Sequence, residues 1–110
     1  MGIFAGGDVV IISFPFSDLS GVKLRPALVL CDLPGEDLIL CQISARIRED
    51  EYNVALMEND FIDGKLKANS VIRPYRLFTA NNDLIKYKAC RIIPEKIKEV
   101  QRILSNILIN

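Results

Sequence analysis

The chain has 110 residues, 50% of them hydrophobic and 25% charged, with 14 cationic and 14 acidic side chains that balance to a formal charge of zero. That length suits one domain over residues 1–110 with little room for a second, and the composition excludes a disordered chain. There is no histidine, which excludes every triad or dyad built on imidazole and every His-ligated metal, so an enzyme here works with Arg, Lys, carboxylates, hydroxyls or thiols.

Strand signals dominate the first four fifths of the chain. Gly6-Gly7-Asp8 reads as a turn, and residues 9–16, rich in β-branched and aromatic side chains, read as a strand. Residues 17–24 are polar, with Gly21 near their centre, and read as a loop. Residues 26–31 are wholly apolar, as in a buried strand; Pro34-Gly35 marks a tight turn over 32–37, and 38–44 form the returning arm of a hairpin. Residues 45–51 are a charged loop and 52–57 a strand. Residues 58–69, polar with Gly64 inside, form a turn or short helix. Residues 70–73 and 76–79 are strands interrupted by Pro74, 81–83 a turn, and 84–93 the last strand. The character then changes. Residues 94–109 contain no glycine and begin with Pro94 at a first helical position, with Glu95 suited to the helix dipole. Ile97, Val100, Leu104, Ile107 and Leu108 recur at spacings of three and four, which places them on one face of a helix. The expected fold is mainly β (α+β): a small antiparallel barrel of seven short strands with one amphipathic C-terminal helix.

Cys31, Cys41 and Cys90 lie in apolar runs, odd in number and too widely spaced for a CxxC motif. They read as buried free thiols of a reducing compartment. The first residues lack a basic segment, and no run approaches the ~18 apolar residues of a membrane span, so a soluble, cytoplasmic protein is expected. The sequence pI is about 6.2. Nucleic-acid binders are usually basic overall, so RNA binding here requires positive charge to be local and negative charge to sit on another face.

Three groups carry candidate chemistry. In Gly21-Val22-Lys23-Leu24-Arg25-Pro26 a glycine loop delivers two cations to the start of a buried strand, and Pro26 holds Arg25 extended. Arg25 is then either a fork of donors for phosphate oxygens or a loop arginine that caps a strand or pairs with a carboxylate. Gln42 and Ser44 share one face of the adjoining strand end, as a small polar pocket or as a solvated end. Arg73, Tyr75 and Arg76 flank Pro74. With Lys23, Arg46 and Arg48 they form either a basic patch with an aromatic platform for single-stranded RNA or scattered charge balanced by Glu49, Asp50 and Glu51.

Gly7-Asp8-Val9-Val10, followed by an apolar strand and Arg25-Pro26-Ala27-Leu28-Val29-Leu30, resembles the N-terminal signature of the MazF/PemK toxins. Cys41-Gln42-Ile43-Ser44 resembles the family strand that ends in Thr or Ser. Ser70-Val71-Ile72-Arg73 and Leu77-Phe78-Thr79 resemble the next strand pair, and the C-terminal helix also fits. The resemblance spans nearly the whole chain; each motif is short, and their order and spacing carry the specificity. It implies an SH3-like barrel, a homodimer, and an endoribonuclease that cuts single-stranded RNA at short motifs with no metal or cofactor. It also implies a cognate antitoxin with a flexible acidic tail as partner. Arg25 falls on the family's catalytic arginine and Ser44 on its catalytic Thr/Ser. Lys23, Gln42, Arg46, Arg73, Tyr75 and Arg76 become RNA-binding candidates, Arg73 matching an arginine that some PemK-like members use near the scissile phosphate. Three positions depart from the pattern: Tyr75 where those members carry Asp, Phe78 where many carry Arg, and Ser44 for the commoner Thr. Barrels of this kind also occur in toxins that grip a protein such as DNA gyrase, and an inactive family member is the remaining alternative.

Overall fold

The computed structural model describes residues 3–14, 23–45 and 50–109. Seven strands form one sheet: β1 (Asp8–Phe14), β2 (Lys23–Asp32), β3 (Asp37–Ser44), β4 (Val54–Leu56), β5 (Phe61–Ile62), β6 (Ser70–Asn81) and β7 (Ile85–Ile92). A helix, α1 (Pro94–Ile109), follows. The strand order is β4-β6-β3-β2-β1-β7-β5, with every pairing antiparallel. This is the barrel the strand pattern predicts. Its two edge strands, β4 and β5, curl toward each other and share one core: Val54 and Leu56 from β4 are buried with Val9, Leu28, Ile72, Cys90 and Ile92, and Phe61 from β5 packs against them. A 3-10 turn (Glu58–Asp60) joins the two edges. The Ile93 N–H donates to the Asp60 carbonyl at 2.9 Å and ties that turn to the start of α1.

The helix stops the barrel. Val100 is fully buried in the same core, with Ile97 and Ile103 against it. Leu108, on the expected apolar face, is 68% exposed, because the core ends before the last helical turn. A second cluster lies on the opposite face of the sheet: Val10, Ile12, Ala27, Val29, Leu38, Leu40 and Ala80, flanked by Phe4, Phe78 and Ile85. Burial on both faces explains why residues 9–12 and 26–31 are unbroken apolar runs rather than alternating ones.

Several boundaries differ from the sequence expectation. β2 begins at Lys23 and continues to Asp32, while residues 15–22 of the expected first strand and loop lie outside the described residues. The run expected as a turn or short helix over 58–69 begins with the 3-10 turn Glu58–Asp60 and also contains the two-residue strand β5, paired with β7 through Phe61↔Ile92. Pro74 does not split β6; both flanks pair with β3 and the residues between them bulge. Cys41 and Cys90 are buried, but Cys31 is exposed, beyond the core at the end of β2. Burial pushes the Cys41 thiol up to about 12 and the Cys90 thiol up to about 11. Among the described residues no helix is long and apolar enough to cross a membrane.

Candidate active site

Lys23, Arg25 and Pro26 open β2. Toward β1 the strand is paired along this whole stretch, from Phe14↔Lys23 through Ile12↔Arg25 to Val9↔Leu28. Toward β3 the ladder stops at Ala27↔Gln42. Pro26 has no N–H to give and so removes a donor where that ladder would continue. β3 itself runs on to Ser44, still paired with β6 through Ser44↔Val71. Beyond Ala27 and Gln42 the two strands therefore form a fork, with Arg25 on one tine and Ser44 on the other. Each tine is held from its outer side by a neighbouring strand.

Alternation along each strand decides which side chains share this fork. Arg25 lies on the face of Ala27, and Ser44 on the face of Gln42. Ala27 is opposite Gln42, and Gln42 is opposite Arg73, so Arg25, Gln42, Ser44 and Arg73 all belong to one face. Arg25 is exposed, Gln42 and Ser44 are half-buried, and Arg73 is only 6% exposed. Ile12 stands beside Arg25 and Ala27 beside Gln42, both part of the second apolar cluster. The polar group thus sits at the mouth of an apolar wall. Attraction between a bound anion and Arg25 is stronger against such a wall than in open water.

Between Cys41↔Leu77 and Gln42↔Arg73, β6 carries Pro74, Tyr75 and Arg76 with no counterpart on β3. A bulge of this kind re-aims side chains, and it accommodates a proline. Tyr75 and Arg76 are exposed on it. The Tyr75 hydroxyl donates to Asp50 Oδ2 at 3.3 Å, and Asp50 Oδ1 accepts the Tyr52 N–H at 2.9 Å. The Tyr52 and Tyr75 rings meet edge to face, with centroids 6.4 Å apart and planes at 71°. A hydrogen bond to Glu51, and the charge of that carboxylate, push the Tyr52 hydroxyl above its ordinary range. The aromatic platform expected at Tyr75 is thus a pair of rings with carboxylates attached. One of those carboxylates stands a single side chain away from the position where PemK-like members carry Asp.

Of the residues singled out from sequence, Arg25, Ser44, Gln42 and Arg73 come together on one face, with Arg73 buried beside Gln42. Lys23 lies exposed two residues before Arg25, and Arg76 lies exposed on the bulge. Arg46 and Arg48 lie outside the described residues. The zero net charge conceals a separation. Lys23 and Arg25 start β2, whereas exposed Asp32, Glu36 and Asp37 cluster at the other end of the β2–β3 hairpin, where Asp37 pairs with Asn81. Sequence reasoning missed one feature, a hollow beside the fork walled by Pro26, Ala45 and the segment 65–68. Its signal was present in Lys65-Leu66-Lys67, two cations two residues apart after a glycine.

A curled seven-stranded antiparallel sheet closed by a C-terminal helix, with a cationic fork at one end, defines a small SH3-like barrel. The family model of the PemK-like, MazF-like toxins of type II toxin–antitoxin systems matches residues 5–108, and the chain belongs to that family. Among solved structures, a MazE–MazF crystal structure from Deinococcus radiodurans superposes with a TM-score of 0.80 at 18% identity, covering 96% of each chain. An endoribonuclease in complex with its cognate antitoxin, from a mycobacterial species, gives 0.74 at 15% identity, covering 96% of this chain and 94% of that one. The Mycobacterium tuberculosis toxin MazF-mt6 gives 0.73 at 13% identity, covering 92% and 95%. At these identities the likeness is one of fold. No curated protein sequence matches the chain.

Proposed function

We propose that this chain is the toxin of a type II pair and a metal-independent endoribonuclease acting on single-stranded RNA, with Arg25 and Ser44 as its catalytic residues. The observation that carries this is the fork at Pro26. It parts β2 from β3 with a guanidinium on one side and a hydroxyl on the other, on one face, at the cationic end of the hairpin.

With no imidazole in the chain, the simplest nucleophile is the RNA's own 2′-hydroxyl. Its oxygen bonds to the adjacent phosphorus as the bond to the 5′-oxygen breaks. The 2′-proton leaves to solvent or a nearby acceptor, and the departing 5′-oxygen takes one up. The products are a 2′,3′-cyclic phosphate and a 5′-hydroxyl. Because the nucleophile is already tethered beside the phosphorus, holding it in line supplies much of the rate. Arg25 stabilises the charge that gathers on the non-bridging oxygens. A guanidinium keeps its charge, which suits Arg25 to that electrostatic role rather than to proton donation. Ser44 hydrogen-bonds the phosphate or orients the 2′-hydroxyl. Arg73, buried opposite Gln42, adds positive potential from behind. Lys23, Gln42, Tyr75 and Arg76, with Arg46, bind the flanking RNA.

The solved relatives that contain an antitoxin support a separate antitoxin chain as this protein's partner. The family resemblance supports a homodimer working in the cytoplasm. Digestion of total RNA with chelator present, followed by mapping of the new ends, tests the function. We expect 5′-hydroxyl ends at a recurring short motif. Folded protein that leaves RNA intact but inhibits DNA gyrase would overturn it in favour of a protein-gripping toxin. Near-zero net charge and Tyr75 in place of Asp are the two features that favour that second reading.

A further inference from the structure

On the other side of β2 from Arg25 lies a hollow of about 520 Å³. Its floor and walls include Ile11, Pro26, Ala45 and Leu66, and its charged members are Lys65, Lys67 and Lys88, with Tyr87 beside them. Among the described residues no carboxylate lines it. Among the described residues, Lys65 and Lys67 form no ion pair, while Lys88 is 3.6 Å from Asp8. Tyr87 is 57% exposed and pairs with Ile11 across the β1–β7 ladder. Two of the walls adjoin the candidate catalytic pair in the chain: Pro26 follows Arg25 and Ala45 follows Ser44. The hollow therefore opens at the same fork in which a scissile phosphate would sit.

We infer that this hollow is a subsite for the RNA next to the cleaved bond, with Tyr87 stacking on a base and Lys65 and Lys67 contacting phosphates. This rests on the ribonuclease function proposed above and extends it to a second surface. The volume falls within the ~300–1,000 Å³ of ordinary small-ligand sites, room for a nucleotide or two. An exposed ring and unpaired lysines are the elements that grip single strands without reading sequence. An acidic peptide fits less well. Of the strands that wall the hollow, β1 is paired on both sides; among the described residues β2 is paired only with β1 before Ala27, and β7 is paired only with β1 along Tyr87 and Lys88, since β5 reaches it at Arg91 and Ile92. These edges leave room for a peptide strand, so the choice of RNA rests on the exposed Tyr87 ring, which a base covers and an acidic peptide leaves bare. A polynucleotide needs only cations and a stacking face.

The test uses the full chain and a short mixed-sequence RNA whose 2′-hydroxyls are methylated, so that it binds without being cut. Binding is measured over a salt series for the wild type, Tyr87→Leu, Tyr87→Phe and the double variant Lys65→Ala/Lys67→Ala. Each single-strand phosphate contact contributes about 0.7 to the slope of log affinity against log salt, so the double variant loses about 1.4. Tyr87→Leu weakens binding roughly 5- to 150-fold, the worth of one stacked base, while Tyr87→Phe keeps the ring and binds like wild type. All three side chains changed are exposed, and equal melting temperatures confirm folding. Wild-type salt slopes and affinities in folded variants overturn the subsite. Variants that bind RNA normally but lose the antitoxin peptide also overturn it and assign the hollow to the peptide. A wild type that neither binds nor cuts any RNA overturns the ribonuclease itself, an outcome distinct from both.

Discussion

Gly7 joins the barrel to its helix, and replacing it with alanine has a cost that can be worked from the structure. Its φ is +100°, and its backbone is fixed on both sides: its N–H donates to the Val29 carbonyl at 2.9 Å, and its carbonyl accepts the Ile92 N–H at 3.0 Å. A side chain at such a φ costs about 1–3 kcal/mol. A Cβ there would also lie 2.5 Å from Ile97 Cδ1 on α1. Moving that packed side chain adds about 1–3 kcal/mol. Gly35, in the β2–β3 turn, separates the two costs, for its φ is +86° but a Cβ would meet nothing within 4 Å. Gly35→Ala therefore carries the conformational cost alone. The assay is thermal unfolding of both variants at matched protein concentration, since any association shifts the midpoint. At about 4–8 °C per kcal/mol for a domain of this size, Gly7→Ala should melt at least ~8 °C below wild type and clearly below Gly35→Ala. Ile97→Val removes the atom in the way and should recover part of the loss in a double variant. A Gly7→Ala protein no less stable than Gly35→Ala, or one that Ile97→Val fails to help, would refute the packing account of this joint.

Asp8 is 3% exposed; it accepts the Ala5 N–H and an Arg91 Nη1–H, both at 2.9 Å. Asp8→Asn should lower stability by about 1.5–3 kcal/mol, the worth of a charge-assisted hydrogen bond, read as a shift in the urea midpoint with unchanged slope. The cysteines differ in access. One thiol, Cys31, should react with a thiol reagent in the folded protein and all three in denaturant. Cys41 and Cys90 hold their protons to about 12 and 11, above the ordinary 9.0. The folded state therefore binds more protons than the unfolded chain above about pH 9, and these two thiols subtract stability as pH rises through that range. A folded protein whose stability is flat up to about pH 11 would contradict this.

The local chemistry of this fold is legible in the sequence, and its long-range pairings are not. Pro94 and the three- and four-residue spacing from Ile97 onward delimit α1 correctly, because capping and periodicity are properties of the segment itself. The strand β5 was hidden because Phe61-Ile62 lies in a polar stretch and is defined only by its pairing with distant Ile92 and Arg91. Pro74 read as a break, yet β3 pairs with both flanks and turns the interruption into a bulge. Leu108 lay on the right face of the helix but beyond the reach of the core. At the site, Pro26 located Arg25 through its restriction of the preceding residue. Its second effect, ending the β2–β3 ladder and opening the fork, required knowing which strand lay alongside. The burial of Arg73 followed from its place opposite Gln42, which a single sequence does not reveal.

The most direct test of the central claim compares wild type, Arg25→Ala and Ser44→Ala in single-turnover cleavage of RNA with chelator present. Arg25 and Ser44 stand at the mouth of the fork, exposed and half-buried, so both variants should fold normally. The account predicts that the wild type leaves 5′-hydroxyl ends and that Arg25→Ala loses at least ~100-fold in rate, the typical cost of one donor to a developing oxyanion. It predicts a smaller loss for Ser44→Ala. Folded Arg25→Ala protein that cuts RNA at the wild-type rate would contradict it.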